Sequence, residues 1–566
     1  MSDMSQLADY INGSELRSRL VLITDLDTAD ADCAPCGLHI VVIATGETLA
    51  LLPIHDACAS EMQTVRVFSS DFATFTRFER RWAWTSVLQV QLDALLIKLT
   101  AALERSSGGG IYLYLNGAFS RKHFPSAQPA MFADAPADPP VYSESCRATN
   151  SRLEDILAAF GNNSLQATSL HATPGHDSYH CYSPQNRMLG IGRGITDREM
   201  MCGAVFEYCE RWVGLTKPGD CVTGSYASLR QQALRPEQVL GLSEEQCRRV
   251  VPGFISELAM EWLPARLEDS GSGALVPLAM VNYLLGPGVL FSRYQNSNGC
   301  ALGNSFEEAA LFGALEVIER DALLATWYSR SPPPRIDIAN VACDRTAGLL
   351  LLLEGAGYDV LCFDITLDLP VPCTLVLMLG RGSGKMAAFV TAASHPNPAV
   401  ALRSALAEAH SLIGSAERNF ARHLTRLVRD PAELQRLRNE SQALYYGHAE
   451  QRQHFDFLGN STPSLSYADF VARYPFGPQA PQLAYRRLCE QAAEAGYGLI
   501  SVDNTPSMLH PLGLASARVF IPGTIPMAFG DYLPAVPAQR LARAARRASW
   551  IRSDADLSSP QLHPLG

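Results

Sequence analysis

Two stretches of the chain repeat one framework of polar residues and glycines at a shift of 109 positions. Each framework contains two glycines, a hydroxyl residue, three glutamates and an arginine. The residues are Gly190, Gly194, Thr196, Glu199, Glu207, Glu210 and Arg211 in the first copy, and Gly299, Gly303, Ser305, Glu308, Glu316, Glu319 and Arg320 in the second. The apolar residues between these positions differ freely, so the polar spacing is what the two copies share.

The framework predicts a capped helix in each copy. In Thr196-x-x-Glu199 and Ser305-x-x-Glu308, a hydroxyl and a carboxylate can accept hydrogen bonds from the free N–H groups of the first helical turn. At roughly 100° per residue, the three carboxylates of each copy lie within about 80° of one another around the helix. The other positions are largely apolar, so we expect two buried helices, each with glutamates along one edge.

Buried glutamates must be paired, protonated or bound to a cation. One interpretation is that the last two glutamates of each copy are solvated or form salt bridges with the arginine that follows them. The repetition of the whole framework favours another interpretation, because two facing carboxylate edges suit Mg²⁺, which usually binds together with substrate phosphates. The arginines and the glycine-flanked helix N-termini suit phosphate oxygens. The residues therefore predict a magnesium–nucleotide site between two related helices.

The composition indicates a globular protein of more than one domain. The 566 residues exceed the usual size of one domain, and 47% apolar with 18% charged residues is typical of a packed chain. The formal charge of −11 argues against a general nucleic-acid binder. No apolar run reaches membrane length, MSDMSQLADYINGSE lacks a secretory signal, and the 14 cysteines are scattered like reduced thiols. We expect a cytoplasmic protein.

Patterning along the chain predicts three segments. Residues 1–125 predict a small α/β module, with strands at LVLITDL, LHIVVIA, TLALLPI and IYLYLNG and a long helix over Phe75–Glu104. Residues 126–150 are rich in Pro and Ala and predict a linker, and residues 151–566 contain both glutamate copies. The Cys33-x-x-Cys36 pair has no second pair to complete a zinc site, so it predicts an ordinary turn.

A second repeat, at a shift of 139 positions, predicts the scaffold. The residues Gly357, Tyr358, Asp364 and Thr366 match Gly496, Tyr497, Asp503 and Thr505. Each copy predicts a helix, a glycine turn, a strand, an Asp-x-Thr loop and another strand, so the duplication implies a packed mixed sheet and an α+β fold. The GRGSGK stretch at 380–385 lacks the first glycine and the final hydroxyl residue of a phosphate loop, and it predicts a hairpin turn.

Four further features carry weaker patterns. VPLAMVNYLL predicts a core strand, and DADLSSPQLHPLG at the end of the sequence predicts a flexible tail. The segment AVALRSALAEAHSLIGSAERNF predicts a helix with Glu408 in its apolar centre. This helix is a degenerate relative of the glutamate helices, because Val400 stands where the capping glutamate would be. Arg518, on a predicted strand, could reach an anion.

At the glutamate helices the sequence resembles the YcaO family of ATP-utilising enzymes that modify peptide backbones. The resemblance covers roughly residues 183–530 and is carried by GIGRGIT…FEYCERW, SNGCALGNSFEEA…EVIERDA, ALAEA and ARVFIPG. It implies a YcaO-like domain of mixed β-sheets packed with duplicated glutamate helices, with ATP and Mg²⁺ as cofactors. It implies magnesium ligation by Glu207, Glu210, Glu316 and Glu319, and ATP contacts by Arg193, Glu207, Arg211, Asn298, Asn304, Glu308, Arg320 and Arg518.

The resemblance further implies a cyclodehydratase that converts Cys, Ser or Thr of a ribosomally made precursor peptide to thiazoline or oxazoline. A thioamide-forming or amidine-forming enzyme, a carboxylate–amine ligase and a non-catalytic ATP-binding accessory protein remain open alternatives. No pattern identifies the general base, for which Asp321 and the carboxylate of Gly566 are candidates. Two features depart from the family: Gly203 stands where a serine is frequent, and the chain lacks the PxPxP ending of many azoline-forming members.

The resemblance also implies partners. Members of the family often work with a leader-binding, E1-like or dehydrogenase protein in a complex, so the N-terminal module is an expected docking domain for such a partner or for the peptide leader. The duplicated scaffold is compatible with a homodimer. Neither a nucleic acid nor a membrane is an expected partner.

Overall fold

The computed structural model of the protein describes part of the chain. The described residues are 20–23, 38–44, 49–55, 110–115, 118–123, 153, 155–157, 159, 164–168, 178–183, 188–192, 197–216, 218, 221–251, 254–282, 296–338, 341, 344–382, 384–427, 441–459, 461, 463–475, 479–527, 535–557 and 561–565. The predicted helix over Phe75–Glu104, the predicted turn at Cys33 and Cys36, and the predicted linker at 126–150 lie outside these residues.

The chain divides into two compact units, of which the first comprises Met1–Ala137, Glu154–Gly192 and Gly203–Tyr208. Its larger sheet has the strand order β1-β2-β3-β4-β5, and its smaller sheet has the order β6-β7-β8. The strands are β1 (Leu20–Ile23), β2 (Leu38–Ala44), β3 (Leu49–His55), β4 (Gly110–Leu115), β5 (Ala118–His123), β6 (Ser164–Thr168), β7 (Ser178–Ser183) and β8 (Met188–Gly192). The four strands predicted in the first 125 residues are present as β1 to β4.

The second unit comprises Asp138–Leu153, Arg193–Cys202 and Cys209–Gly566. One of its sheets has the order β11-β10-β18-β19-β12, with β9 also paired to β10, and the other has the order β16-β15-β14-β13-β17. The strands are β9 (Val222–Ser225), β10 (Ala259–Leu267), β11 (Gly273–Pro277), β12 (Cys300–Gly303), β13 (Arg335–Asp337), β14 (Tyr358–Asp364), β15 (Cys373–Gly380), β16 (Ala388–Ser394), β17 (Pro463–Ser466), β18 (Ile500–Asp503) and β19 (Ala515–Phe520). Sheets combined with helices confirm the predicted α+β class.

The glutamates of interest lie on three long helices. The helices are α1 (Asp197–Leu215), α2 (Tyr226–Leu229), α3 (Pro236–Leu240), α4 (Glu244–Val250), α5 (Leu278–Val281), α6 (Phe306–Ser329), α7 (Asp344–Gly355), α8 (Pro398–Leu427), α9 (Gln442–Tyr446), α10 (Asp456–Gly459), α11 (Tyr467–Arg473), α12 (Pro481–Glu494) and α13 (Arg540–Ala544), with 3₁₀ turns at Ala449–Phe455 and Ser507–Leu512. Helix α1 carries the first glutamate copy, α6 carries the second copy, and α8 carries Glu408.

Helix α6 is packed on both sides by sheet. It contacts β12 and β19 of one sheet and β15 and β16 of the other, and nearly all of its side chains are buried. The approach to the first sheet is backbone to backbone, because a Cβ added to Gly313 would lie 2.5 Å from the carbonyl oxygen of Gly299. Gly299 itself has a φ of +87° and faces the carbonyl oxygen of Val519. Burial of 18 of its 24 residues explains why the sequence of α6 is largely apolar between its glutamates.

The second repeat forms two matching strand pairs, β14–β15 and β18–β19, both antiparallel. After the first strand of each pair, an aspartate accepts the N–H of the threonine two residues on, and the threonine hydroxyl accepts an N–H at the start of the next strand. The distances are 3.1 Å (Thr366 N to Asp364 Oδ1), 3.0 Å (Cys373 N to Thr366 Oγ1), 3.0 Å (Thr505 N to Asp503 Oδ1) and 2.9 Å (Ser516 N to Thr505 Oγ1). The two copies of the sequence repeat therefore form the same pair of hydrogen bonds between their aspartate, threonine and following strand.

The GRGSGK stretch connects β15 to β16, which pair in antiparallel register, as the prediction of a hairpin requires. The predicted core strand at VPLAMVNYLL is only partly correct. Strand β11 ends at Pro277, which has no N–H to continue a ladder, and the short helix Leu278–Val281 follows.

The prediction of a flexible C-terminal tail is wrong for its last described residues. Leu562, His563, Pro564 and Leu565 are buried. The indole N–H of Trp327 on α6 donates to the carbonyl oxygen of Gln561 at 3.3 Å, and the Tyr446 hydroxyl donates to that of Leu562. The local pattern of this segment, which is short and contains two prolines, suggested flexibility. Its apolar side chains instead pack against residues that are distant in the sequence, which a local pattern does not reveal.

Candidate functional site

The first glutamate copy follows strand β8. The carboxylate of Glu207 on α1 accepts the N–H of Ile191 at 2.6 Å, which joins the helix to the strand that precedes it. The contact is close because a Cβ added to Gly190 would lie 2.0 Å from the carbonyl oxygen of Ala204. Glu210 and Arg211 follow on α1 and are partly buried. Arg193, Gly194 and Thr196, with the first capping hydroxyl, lie outside the described residues.

The second copy repeats this arrangement at the start of β12. The carboxylate of Glu316 accepts the N–H of Gly299 at 2.8 Å, and Gly299 is the counterpart of Gly190. One turn further along α6, Glu319 accepts the N–H of Ser394 at the end of β16 at 3.1 Å. Two sheets therefore fix the two carboxylates through backbone donors. Glu207 and Glu316 thus each accept a backbone N–H at or next to the repeated glycine, Glu207 from the residue after Gly190 and Glu316 from Gly299 itself.

Arg320 lies beside both carboxylates of the second copy. Its Nε is 3.6 Å from an oxygen of Glu319, and its Nη2 is 3.9 Å from an oxygen of Glu316. These distances are at the long end for ion pairs, and the three side chains keep 14–29% of their surface exposed. The group is a recessed cluster that still opens to solvent.

A third glutamate acts on the cluster through its charge. Glu408 on α8 is close enough that its charge raises the pKa of both Glu316 and Glu319. The pKa of Glu319 is raised to about 8, chiefly by burial. The charge of Arg320 lowers this pKa, and the charges of Glu408 and Glu316 raise it. The charges of three carboxylates thus act on one guanidinium. Sequence reasoning noted Glu408 but gave it no site role, and the available signal was a lone acid in the apolar centre of a helix.

Arg518 on β19 is completely buried beside the start of the second copy. Its Nη1 donates to the carbonyl oxygen of Asn296 at 2.8 Å and contacts the sulfur of Cys300 at 2.8 Å. The pKa of the Cys300 thiol is raised to about 11, chiefly by burial and also by the charges of Glu210 and Glu316, while Arg518 lowers it. The charges of Glu210, Glu316 and Arg518 therefore all act on the thiol of Cys300, the first residue of strand β12.

Two predicted ATP contacts have a visible structural role at the N-terminus of α6. Ser305 accepts the N–H of Glu308 at 3.2 Å, as the capping box predicts. The carboxylate of Glu308, however, accepts from Asn304, at 2.6 Å from its backbone nitrogen and 2.9 Å from its side-chain nitrogen. Glu308 is 3% exposed, so its buried carboxylate fixes the position of Asn304 through these two hydrogen bonds.

Asp321, a candidate base, points into the protein core. Both of its oxygens lie 2.9 Å from Nε of Arg540, and one accepts the N–H of Ile525 at 2.8 Å. Asp321 is 1% exposed, so no oxygen is available to a substrate proton. Gly566, the other candidate, lies outside the described residues.

The donor set of the cluster fits a magnesium–nucleotide better than a bare ion. No three His, Cys, Asp or Glu residues of the described chain could enclose a metal ion by themselves. Mg²⁺ usually takes one or two protein carboxylates and fills its remaining positions with water and phosphate oxygens. Glu316 and Glu319 are partly exposed beside Arg320, and the buried Oδ1 of Asn298, next to Gly299, has no hydrogen-bond partner among the described residues. Among the described helices, none is long and apolar enough to cross a membrane.

The fold and the recessed carboxylate cluster place the protein among α+β proteins whose central helix presents acids at a solvent-open crevice. Residues 191–525 match the family model described as YcaO cyclodehydratase, ATP- and Mg²⁺-binding. This match covers more than half of the chain, and the protein belongs to the YcaO family.

Relatives extend the comparison in sequence and in structure. An uncharacterised protein of Methanothermobacter thermautotrophicus is 31% identical over 180 residues, which cover 31% of this chain and 44% of that protein. An uncharacterised protein in the tfuA 3′ region of Rhizobium leguminosarum bv. trifolii is 28% identical over 241 residues, which cover 40% of this chain and 55% of that protein. The match therefore spans about half the length of these relatives. A solved heterocyclase in complex with substrate and cofactor shares the fold, with a TM-score of 0.58 and 18% identity over 97% of this chain and 82% of that one.

Proposed function

We propose that the protein is an ATP- and Mg²⁺-dependent cyclodehydratase that converts Cys, Ser or Thr of a ribosomally made precursor peptide to thiazoline or oxazoline. The observation that carries this proposal is the recessed pair of carboxylates, Glu316 and Glu319, beside Arg320, on which the charge of Glu408 also acts. Partly exposed carboxylates held by backbone N–H groups suit a divalent cation, and membership of the YcaO family supplies the reaction class.

The reaction needs a way to remove an amide oxygen, which is a poor leaving group. The substrate side chain loses its S–H or O–H proton to solvent and adds to the preceding carbonyl carbon, and the resulting oxygen anion displaces ADP from the γ-phosphorus of ATP. The C–O bond then breaks, phosphate leaves with the former amide oxygen, and loss of the amide proton forms the ring C=N bond. Bound magnesium–nucleotide supplies the phosphoryl group and charge neutralisation in this scheme.

In this proposal the residues of the chain bind and orient. Glu316, Glu319 and Glu408, with Glu207 and Glu210 of the first copy, provide the carboxylates for Mg²⁺. Arg320 provides a guanidinium whose long contacts to its carboxylates leave it able to turn toward phosphate oxygens.

The remaining ATP contacts follow from their positions. Asn298 and Asn304 lie immediately before and after the segment that contains Gly299 and strand β12. Glu308 holds Asn304 in place through two hydrogen bonds. Arg193 and Arg211 of the first copy are proposed phosphate contacts. Arg518 orders the segment that starts at Asn296, so its contribution is to hold the nucleotide-facing backbone.

We also propose that the first unit docks a partner protein or the leader of the precursor peptide. Its five-stranded sheet ends in β5, whose outer edge is not paired with another described strand of that sheet. An edge strand of this kind can accept an extended peptide as an additional strand. A leader-binding, E1-like or dehydrogenase protein and a second copy of the chain are the proposed partners.

The deciding experiment is intact-mass analysis of a precursor peptide encoded near this protein's gene. The peptide is incubated with the full chain, Mg–ATP and its partner protein, and with ATP omitted as the control. Loss of one water per modified Cys, Ser or Thr, only with ATP, is the expected result. Replacement of an amide oxygen by sulfur or nitrogen would instead identify a thioamide- or amidine-forming enzyme, and an unchanged mass with bound ATP would identify an accessory protein.

A further inference from the structure

Strand β16 lies between two of the helices that carry the glutamates. Successive side chains of a strand point to opposite faces of its sheet. Val390 and Ala392 of β16 pack with side chains of α6 in one apolar cluster. Phe389 and Ala393 of the same strand pack with side chains of α8 in another. Helices α6 and α8 therefore pack on opposite faces of the sheet, and both contact β16.

Strand β16 also stands at one end of its sheet, where its only described partner strand is β15. Ser394, the final residue of β16, donates its N–H to Glu319 of α6 at 3.1 Å. The charge of Glu408, on the helix that packs against the other face, acts on both Glu316 and Glu319. The carboxylates of the two helices therefore approach one another at the C-terminal end of β16, and the strand sets the distance between them.

Two hydroxyl groups of β16 bind the two helices. The Ser394 hydroxyl donates to the carbonyl oxygen of Leu315 on α6 at 2.7 Å, and the Thr391 hydroxyl donates to that of Ala405 on α8 at 2.8 Å. Each acceptor lies within one turn before a glutamate of the cluster. Positions 391 and 394 differ by an odd number, so the two side chains leave the strand on opposite faces, as these bonds require.

The connection from β16 to α8 is short and is closed by hydrogen bonds. Residues 395–397 form it, and Nδ1 of His395 accepts the N–H of Asn397 at 2.9 Å. The Asn397 side chain in turn accepts the N–H of Ala399 in the first turn of α8 at 3.0 Å. Thr391 is 2% exposed, so water does not compete for its bond to α8. Helix α8 is therefore fixed to β16 both at its start and next to its glutamate.

The two hydroxyl bonds do not complete the helices themselves. A carbonyl inside a helix already accepts the N–H of the residue four positions on, so neither hydroxyl satisfies an open acceptor. The bonds instead hold each helix at a fixed position along the strand. Their combined effect is a fixed spacing between Glu319 on one face and Glu408 on the other.

A fixed spacing matters for the choice of cation. Mg²⁺ requires near-octahedral oxygen ligands at about 2.1 Å, whereas Ca²⁺ accepts about six to eight oxygens at about 2.3–2.6 Å in flexible geometry. We propose that Thr391 and Ser394 are positioning residues that fix the spacing between the carboxylates of α6 and α8, so that the site takes a nucleotide with Mg²⁺ in preference to Ca²⁺. This inference rests on the proposed function and concerns the metal specificity of its site.

The test is calorimetric titration of the full chain with β,γ-methylene-ATP, which is not hydrolysed, in the presence of either Mg²⁺ or Ca²⁺. Thr391→Val removes one hydroxyl with almost no change of shape. Ser394→Ala removes the other and keeps the N–H that Glu319 accepts. Thr374→Val is the matched control, because Thr374 on β15 is 0% exposed and its hydroxyl has no hydrogen-bond partner among the described residues.

Thr391→Val and Ser394→Ala should each raise the Kd of the nucleotide with Mg²⁺ by about three- to tenfold, the size expected for one lost hydrogen bond. The Kd with Ca²⁺ should stay within about twofold, because Ca²⁺ tolerates a looser site. Thr391→Ser and Ser394→Thr, which keep the hydroxyl, and the control Thr374→Val should keep the wild-type ratio of the two Kd values. An equal loss with both metals, an unchanged ratio, or the same change in the control would overturn the inference.

This titration needs no peptide, so it separates the inference from the proposed function. A ratio that changes in the two variants, together with a precursor peptide whose mass never changes with ATP, would support the inference and reject the cyclodehydratase. Water loss from the peptide, together with a ratio that is the same in wild type and variants, would do the reverse. A wild-type chain that binds the nucleotide equally well with Mg²⁺ and with Ca²⁺ would also overturn the inference.

Discussion

Two adjacent residues of α6 belong to two very different charge clusters. Arg320 lies beside Glu316 and Glu319 in the recessed cluster, and the charge of Glu408 also acts on it. Asp321, the next residue, pairs with Arg540, whose Nη1 is also 2.9 Å from Asp368. In this second cluster, hereafter the core triad, every side chain is at most 8% exposed.

The two clusters differ in the lengths of their contacts and in their exposure. In the core triad one arginine serves two aspartates, and Ile525 and Tyr497 donate further hydrogen bonds to them. Although burial opposes its charge, the aspartates outweigh this effect and the pKa of Arg540 is raised. The recessed cluster has longer contacts and more exposure. The comparison separates a cluster with the short, buried contacts of a structural element from one with the loose, partly exposed contacts expected of a ligand site.

The largest effect should come from breaking the core triad. Arg540→Met leaves two buried aspartates without a counter-charge, so we expect the free energy of unfolding to fall by about 3–5 kcal/mol. Urea unfolding of the full chain measures it. The exposed Arg547→Met, on the turn that follows α13, should change it by less than about 0.5 kcal/mol. A small loss for Arg540→Met would show that the core triad is not structural.

Glu319→Gln should have the opposite character. The amide keeps the shape and removes a raised-pKa carboxylate, so thermal stability should stay the same or increase. Water loss from the peptide should slow by about 100-fold or more, because the variant lacks a proposed carboxylate ligand of Mg²⁺. The exposed Glu354→Gln on α7 is the matched control. If Glu319→Gln unfolds or keeps full activity, this cluster resembles the core triad after all.

Glu408→Gln tests whether the third carboxylate belongs to the ligand site. Removing one negative charge near Glu316 and Glu319 should weaken the apparent affinity for Mg²⁺ by about three- to tenfold. The Mg²⁺ dependence of ATP binding measures this effect in the full chain. Unchanged Mg²⁺ dependence would confine the ligand site to the two helices that the sequence singles out.

The smallest effect should be a dependence of stability on pH. Glu319 binds its proton more tightly when folded, with a pKa of about 8 against an ordinary value of 4.5, so the folded state holds more protons than the unfolded state between these values. Stability without ligand should therefore fall as pH rises toward 8, by at most about 1.4 kcal/mol per pH unit. His395, whose pKa burial lowers to about 4, opposes this trend below its ordinary value of 6.5.

The informative window for this measurement is thus pH 6.5 to 8, between the ordinary pKa of His395 and the raised pKa of Glu319. Thermal melting in that window should show a declining midpoint for the wild-type chain and a flatter profile for Glu319→Gln. A wild-type midpoint that rises through the window would contradict a raised pKa for Glu319.

The sequence predicted what depends on local spacing. The repeats revealed the glutamate helices and the paired strands, because a helix edge and an Asp-x-Thr turn are written within about a dozen residues. The sequence could not reveal that Asp321 would meet Arg540, which lies 219 positions away. Nor could it give Glu408 a role in the site, because that helix lacks the repeated spacing of polar residues that identified the other two glutamate helices.

The backbone contact between Gly299 and Gly313 has a consequence for motion. Helix α6 cannot slide or rotate against β12 without bringing two backbones into collision, and a second sheet closes its other side. Rearrangements on ligand binding must therefore come from its neighbours or from rotamer changes, with α6 as the fixed reference. Its amide hydrogens should accordingly exchange with solvent only when the whole second unit unfolds.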